Sequence, residues 1–297
     1  MMNYMKIALF YFSGTGNTKT VVFKWQEEAL KHNINIDLFE IEKDELPSLA
    51  DYDKVGFAYP IHAFNAPEIV WRFALKLPTQ EKAIPLFIIM VSGEYMTINH
   101  SSASKLRRIL RKKNYQFESD YHYVMPYNLV FRHTEQRAYR MYEAMTKIVP
   151  IDVKEYLVDS IPHQTRKHHL VGWFIFLLRI EQWFSGVNGR FYKVDMKKCI
   201  KCMKCVNACP VHNIEFKDNK FIFHDKCLLC ERCSFHCPKD AFKIALLNLW
   251  RVNKPYQFKD VDKDEKDRHS LYCKRSYKRY FKEIEERVSS YESRSGY

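Results

Sequence analysis

Eight of the nine cysteines in this chain fall into two copies of one spacing. KCIKCMKCVNACP carries Cys199, Cys202, Cys205 and Cys209, and DKCLLCERCSFHCP carries Cys227, Cys230, Cys233 and Cys237. Each copy reads C-x2-C-x2-C-x3-C, with Pro210 or Pro238 directly after the last thiol. Structural zinc gathers thiolates in two C-x2-4-C pairs and has no use for a third cysteine two residues further on, twice. Disulfide stapling suits small secreted domains, whereas no cysteine precedes residue 199 of the 297 here. Cys273 is left over in a charged tail, between Tyr272 and Lys274, and reads as a free thiol.

The duplicated spacing resembles that of bacterial two-cluster ferredoxins, each cluster a [4Fe–4S] cube. A cube has four irons, each needing a thiolate. Three cysteines at two-residue gaps let one tight loop wrap three irons, and the proline helps turn the chain away. The resemblance implies that Cys199, Cys202 and Cys205 share a cluster with Cys237, and that Cys227, Cys230 and Cys233 share the other with Cys209. Lys197, Lys198, Lys201, Lys204, Lys226, Arg232 and Lys239 crowd these motifs. Two-cluster ferredoxins are commonly acidic. The basic surround therefore departs from the family and points to an acidic partner, a ferredoxin or flavodoxin.

The first 150 residues follow a different rule. Lys6–Phe12 (KIALFYF), Asn35–Ile41, Lys54–Tyr59, Ile84–Val91 and Tyr121–Val130 read as strands. Thr18–His32, Ala66–Leu77, Ser101–Lys113 and the stretch from Thr134 to about Leu157 read as helices. Such alternation predicts an α/β fold, a doubly wound five-stranded parallel sheet with helices on both sides. A small α+β unit follows it. The expected organisation is a first domain over 1–157, a helical connector over 158–194, the cysteine domain over 195–248, and a charged tail with a terminal helix over 249–297. Gly186 and Gly189 are expected to mark a loop.

The first strand runs into SGTGNT, Ser13–Thr18, and then into a helix. Backbone N–H groups at a helix N-terminus point at an anion, and the helix dipole favours negative charge. Ser13, Thr15 and Thr18 add hydroxyls, Asn17 an amide, and Gly14 and Gly16 permit the turn. The loop is neither G-x-G-x-x-G nor a P-loop ending in G-K-[ST]. Its S-x-T-G-x-T pattern resembles the phosphate loop of flavodoxins, and the likeness covers roughly residues 5 to 150, a usual domain size. That resemblance implies FMN, with the phosphate at Ser13–Thr18 and the ring at the carboxyl ends of the strands. Two loops then frame the ring: YPIHAFNAP, with Pro60, His62, Ala63 and Phe64, and SGEYM, with Ser92, Gly93 and Tyr95. His62, Phe64 and Tyr95 are candidates for ring contact, and the backbone near Ala63 and Gly93 for its polar edge. His62, Tyr95 and Arg132 are candidate proton donors or anion anchors. Core packing is the alternative for Tyr59 and Phe64, and a surface position for His62. Flavodoxins that act as carriers usually surround the flavin with acidic residues, whereas Arg72, Lys76, Arg107, Arg108, Arg111 and Lys112 make this domain basic.

Together the two halves resemble flavodoxin–ferredoxin fusion proteins of anaerobes. The implied chemistry is oxidoreduction: conversion between single electrons at the clusters and pairs at FMN. One reading is a reductase of a small molecule fed by a low-potential donor. Another is an electron carrier between proteins only. A third, a nucleic-acid-bound sensor, is permitted by 48 Lys+Arg against 35 Asp+Glu, a formal +13, but no reading motif for bases is visible. No nucleic acid is therefore expected. The run LVGWFIFLL, residues 170–178, falls short of the about 20 apolar residues of a spanning helix. The stretch 170–184 is left either buried against a domain or touching a membrane face. The N-terminal run is short and lacks a small-residue cleavage site, which places the chain in the cytoplasm.

Overall fold

Strand β1 (Lys6–Tyr11) shows why the first apolar run is unbroken. Ile7, Leu9 and Tyr11 enter one core, while Ala8 and Phe10 enter a second on the opposite face. A strand covered on both faces has no solvent side and needs no polar alternation. The computed structural model describes residues 5–165, 180–259 and 274–295. In it β2 (Asn35–Glu40), β3 (Lys54–Pro60), β4 (Ile84–Ser92) and β5 (Tyr115–Val124) join β1 in one parallel sheet. Its order is β2-β1-β3-β4-β5. This is the flavodoxin-like order, whose switch point lies between β1 and β3.

Helices α1 (Asn17–Lys31) and α4 (Glu135–Val153) cover one face through Val21, Val22, Trp25 and Ile148. Helices α2 (Glu68–Lys76) and α3 (Ser104–Arg111) cover the other through Val70, Phe73, Leu106 and Leu110. Trp25 stays buried because its indole N–H donates to the Tyr123 hydroxyl at 3.0 Å, which donates in turn to Asp152 at 2.6 Å. Tyr59 is fully buried, its hydroxyl 3.3 Å from that of Ser102, so it belongs to the core.

The cysteine unit is built from short pieces. Helix α5 (Ile180–Arg190) leads into β6 (Lys193–Val194), which pairs antiparallel with β9 (Phe242–Lys243). Between them lie the one-turn helices α6 (Lys204–Asn207) and α7 (Arg232–Phe235), flanking the hairpin of β7 (Ile214–Lys217) and β8 (Lys220–Phe223).

Two expectations are corrected. The fifth strand starts six residues earlier than Tyr121 and ends at Val124, not Val130. Its YQFESDY half is rich in polar residues, as an edge strand permits, and this hides its β character. Gly186 and Gly189 do not mark a loop. They lie inside α5, where a Cβ would overlap the Asp225 carbonyl and the Cys227 side chain respectively. Helix α5 therefore packs directly on the cysteine unit rather than connecting to it. The terminal helix α8 (Lys274–Ser295) returns to the first domain. Tyr277, Tyr280 and Phe281 pack with Val124, Met141 and Ala144, and Arg287 pairs with Asp152 at 2.7 Å and Glu155 at 2.8 Å. Among the described residues no helix is long and apolar enough to cross a membrane. Residues 170–178 and Cys273 lie outside the described residues.

The docking of α8 is testable. Tyr280 is 1% exposed and its hydroxyl accepts from the Val124 N–H at 3.3 Å. Tyr280→Ala removes a buried ring and is expected to cost about 3–5 kcal/mol. The drop would be read from the urea midpoint followed by tryptophan fluorescence, and an unchanged midpoint would contradict this packing.

Candidate functional site

The eight thiols separate into two groups. Cys209, Cys227, Cys230 and Cys233 line one small cavity of about 20 Å³. Cys199, Cys202, Cys205 and Cys237 line a larger one of about 630 Å³, which Cys233 also touches. In each group, three thiols of one copy meet the fourth of the other. The duplication extends to the backbone. Lys201 and Met203 have positive φ in the first copy, as do Leu229 and Glu231 at the matching positions of the second, and His212 matches Asp240. Backbone N–H groups donate to matching sulfurs as well: Lys201 to Cys199 at 3.4 Å and Leu229 to Cys227 at 3.5 Å. Asn213 donates to Cys209 at 3.2 Å and Ala241 to Cys237 at 3.4 Å. Left-handed residues fold each loop back on its own sulfur, and N–H···S bonds of this kind tune iron–sulfur potentials. Burial pushes the thiols of Cys227 and Cys230 up to about 12 and that of Cys205 to about 11. A bound metal centre would oppose that rise, because a coordinating thiol is deprotonated. Soft donors in sets of four, with N–H groups aimed at sulfur, fit [4Fe–4S] clusters.

A third cavity, of about 200 Å³, lies at the carboxyl ends of the strands, where the switch-point rule places a ligand. Ser13, Gly14, Thr15, Asn17, Thr18, Pro60, His62, Ala63, Ser92 and Gly93 line it. Gly16 sits beside it as the N-cap of α1, at φ 113°, a conformation that favours glycine. Ser13 Oγ accepts from the Gly16 and Lys19 N–H groups, each at 3.2 Å, and so pins the loop in shape. Thr18 Oγ1, buried in this loop, has no hydrogen-bond partner, and neither does Asn128 Oδ1 on the far wall. Buried polar atoms without a partner in the protein, where they border a cavity, are available to a polar ligand. Burial lowers the His62 imidazole to about 4, opposed by a hydrogen bond to the Leu228 backbone. The ring is therefore neutral near pH 7.

The other candidates lie elsewhere. Tyr95 is turned under α8, stacked on His122 at 5.3 Å and tilted against Tyr280 at 5.2 Å, with Arg279 donating to its carbonyl. The cause is the turn before it: the Gly93 carbonyl accepts from the Tyr277 hydroxyl at 2.8 Å, which ties this loop to the tail helix. Phe64, at φ 66°, sits in the turn closed by the reciprocal His62–Asn65 backbone bonds, not on the cavity wall. Arg132 donates to the Asn253 and Lys254 carbonyls at 2.8 and 2.6 Å and pairs with Glu135, so it anchors the tail.

The wall also contains residues that the sequence did not assign to it. Tyr127, Asn128 and Leu129 follow β5, and Leu229, Cys230 and Glu231 come from the second cysteine copy. Asn17 donates to the Pro126 carbonyl at 2.8 Å, and Asn128 donates to Thr15 Oγ1. These contacts fasten the post-β5 loop to the phosphate loop. The one available sequence signal was Pro126, which cannot donate to a strand ladder.

Arg232 joins the two halves. Its guanidinium donates to the Ser13 carbonyl at 2.7 Å, the Gly14 carbonyl at 3.2 Å and the Ala208 carbonyl at 3.1 Å, and it pairs with Glu42. The contact is tight enough that a Cβ on Gly14 would overlap the Cys230 carbonyl. Burial raises the Glu42 carboxyl, and Arg232 opposes that rise. Losing one member of such a buried pair is costly, whereas losing both is far less so. Arg232→Met is expected to cost about 3–5 kcal/mol, and the double change with Glu42→Leu to recover much of it. Urea unfolding of the two variants would check this, and additive losses would exclude the pairing.

Residues 198–241 match the family described as the 4Fe-4S dicluster domain. A ferredoxin of Methanothermococcus thermolithotrophicus is 36% identical over 55 residues, which is 17% of this chain and 92% of the ferredoxin. NADH-quinone oxidoreductase subunit I 2 of Symbiobacterium thermophilum is 28% identical over 102 residues, 28% of this chain, and the chain spans only 42% of that subunit. Among solved structures, a short-chain flavodoxin associated with a non-canonical PDU bacterial microcompartment aligns with a TM-score of 0.39 at 12% identity. It covers 52% of this chain and 98% of its own. The flavodoxin-like assignment rests on the strand order β2-β1-β3-β4-β5. The chain is thus an electron-transfer protein in which a flavodoxin-like domain precedes a domain belonging to the 4Fe-4S dicluster ferredoxins.

Proposed function

We propose that the third cavity binds FMN, and that the chain is an FMN/[4Fe–4S] oxidoreductase delivering electron pairs to a small-molecule acceptor. One observation carries this reading: Cys230 lines both the cavity of the second thiol group and the cavity at the strand ends. A flavin held there lies against a residue of the neighbouring thiol set. Bound FMN supplies exchange of one or two electrons, and the clusters pass one at a time.

The chain's own groups divide the work of holding the nucleotide. Arg232 takes the Ser13 and Gly14 carbonyls. In trans peptides this turns the Gly14 and Thr15 N–H groups the opposite way, available to a phosphate. Thr18 Oγ1 adds a hydroxyl without a competing partner. No lysine lies within Ser13–Thr18, so the cradle suits a monophosphate held by neutral donors. His62, kept neutral by burial, can share a hydrogen bond near the ring without adding charge. The Leu229–Glu231 loop covers one side of the cavity and excludes water there.

The second reading, a carrier exchanging electrons only with proteins, is favoured by the exposure of Cys202. The two readings part on the acceptor. Anaerobically reconstituted protein should contain about one FMN and roughly eight irons per chain. Dithionite-reduced protein should be reoxidised by some small acceptor faster than free FMN is. Failure of every acceptor leaves the carrier, and absence of bound flavin defeats both readings.

Two variants refine the site. A Cβ on Gly93 would overlap the Tyr127 ring, which narrows the cavity. Gly93→Val should push that ring inward and weaken FMN binding about tenfold or more, with iron content unchanged. Flavin fluorescence quenching and iron assay would read the two quantities separately. His62 gives a pH signature. Its folded value of about 4 lies below its ordinary 6.5, so protons bind the unfolded chain first. Its contribution is constant above pH 6.5, and stability falls as pH drops from 6.5 toward 4. His62→Gln should flatten that interval relative to the parent, as measured by urea midpoints across it.

A further inference from the structure

The two thiol groups differ in what they face. The loop carrying Cys227, Cys230 and Cys233 is turned inward: Cys230 lies against Gly14, and Cys227 against Gly189 of α5. The loop carrying Cys199, Cys202 and Cys205 is turned outward. Cys202 is exposed where the other seven thiols are only partly so, and Ile200 beside it is 56% exposed. Lys197, Lys198, Lys201, Lys204 and Lys239 are all exposed around it. Lys204 and Lys239 also line the cavity that holds these four thiols.

None of these five lysines forms an ion pair among the described residues. The nearby carboxylates are engaged within the chain. Asp195 accepts from the Lys197 backbone N–H at 3.0 Å, and Asp240 pairs with Arg251. Together with Met196, at 39% exposure, Ile200 forms a small apolar centre inside a basic ring. An apolar centre within a charged rim is the usual anatomy of a transient protein interface. Like charges held together without counterions repel, and an acidic surface relieves that repulsion on contact.

We infer that the lysine-rimmed face around Cys199, Cys202 and Cys205 is where an acidic protein carrying single electrons docks. The inference rests on the proposed function only in taking the chain as a redox partner. One electron leaves the reduced carrier and enters the chain there. No proton moves and no bond forms at the interface, so docking needs only close approach. The basic ring steers the encounter and loses its reach in salt.

The test uses the intact holoprotein and a purified acidic bacterial ferredoxin, with binding followed by calorimetry. A saturable complex is expected at low salt and should be lost at about 0.5 M salt, where charges are screened within a few ångströms. The double variant Lys201→Glu/Lys204→Glu should weaken it about tenfold or more, and Lys82→Glu, on an exposed position of the first domain, should not. Iron content and visible spectrum certify that each variant is loaded. If the double variant fails to load, Lys197→Gln/Lys239→Gln replaces it with the same expected direction. No complex at low salt, or an equal loss with Lys82→Glu, overturns the inference. So does capture of duplex DNA or phosphatidylserine vesicles by the same lysines while ferredoxin is ignored. Flavin content is measured on the same samples. Bound FMN without ferredoxin binding sinks the docking face alone, and ferredoxin binding without FMN sinks the proposed function alone.

Discussion

The Arg232 guanidinium ties the two redox units together, beside the packing of Leu228 and Cys230 on the core of the first. Arg232 sits between Cys230 and Cys233 in sequence, yet three of its bonds reach the other domain: the carbonyls of Ser13 and Gly14 and the carboxylate of Glu42. Its fourth goes to the Ala208 carbonyl, next to Cys209. One planar side chain thus touches the backbone of the phosphate loop and the chain carrying the second thiol group. An ammonium could not replace it, because a point charge lacks the fork that serves several carbonyls at once. Its charge is not free to act on the clusters. It is offset by Glu42 at contact and by Glu40 at 3.8 Å. The sequence counted Arg232 among the cations crowding the cysteine motifs, and the structure pairs it with carboxylates of the first domain.

What remains is a separation of electrostatic roles. Arg232, beside the inward thiols, is paired and buried, where it fixes geometry, while Lys226 next to Cys227 is exposed. Lys197, Lys198, Lys201, Lys204 and Lys239 near the outward thiols are exposed and form no ion pair among the described residues, so they act over distance and yield to salt. The repeated left-handed positions and N–H···S bonds make the two halves alike in local structure. Their surroundings make them unlike. Tyr192 donates to the buried Glu231 at 2.8 Å beside the inward group, while the outward loop meets solvent at Cys202 and Ile200. Duplication produced two equivalent loops, and docking against the flavodoxin-like domain made one of them internal.

The legible parts of this molecule were those in which spacing is itself the constraint. Four thiols that must meet four irons leave a mark in the linear chain, as does a strand buried on both faces such as Lys6–Tyr11. The turn at Ser13–Thr18 was legible because the glycines that let a chain turn tightly from a strand into a helix must be local. Tyr127 and Asn128 were not legible. They reach the cavity only because the fifth strand ends at Val124, and its polar first half disguised the register. Tyr95 and Arg132 were misplaced for a related reason. Both lie close in sequence to cavity residues, but partners far along the chain, Tyr280 in one case and Asn253 in the other, turn them away. Nothing local to either residue signals such partners.

That same dependence bears on what counts as a domain here. The loop after β5 forms one wall of the strand-end cavity, yet it does not hold itself. Val130 donates to the Trp250 carbonyl at 2.6 Å, the Tyr256 hydroxyl donates to the Tyr127 carbonyl at 2.8 Å, and the Tyr277 hydroxyl bonds the Gly93 carbonyl opposite. These three contacts come from chain that follows the cysteine unit. Leu229, Cys230 and Glu231 from within that unit complete the enclosure. A cut at residue 157 would therefore remove these three supports of the cavity and leave the loop held by Asn17 and Thr15. The Ser13–Thr18 loop is local to the first fifth of the sequence, but the cavity beside it also takes walls from the segment after β5 and from the second cysteine copy.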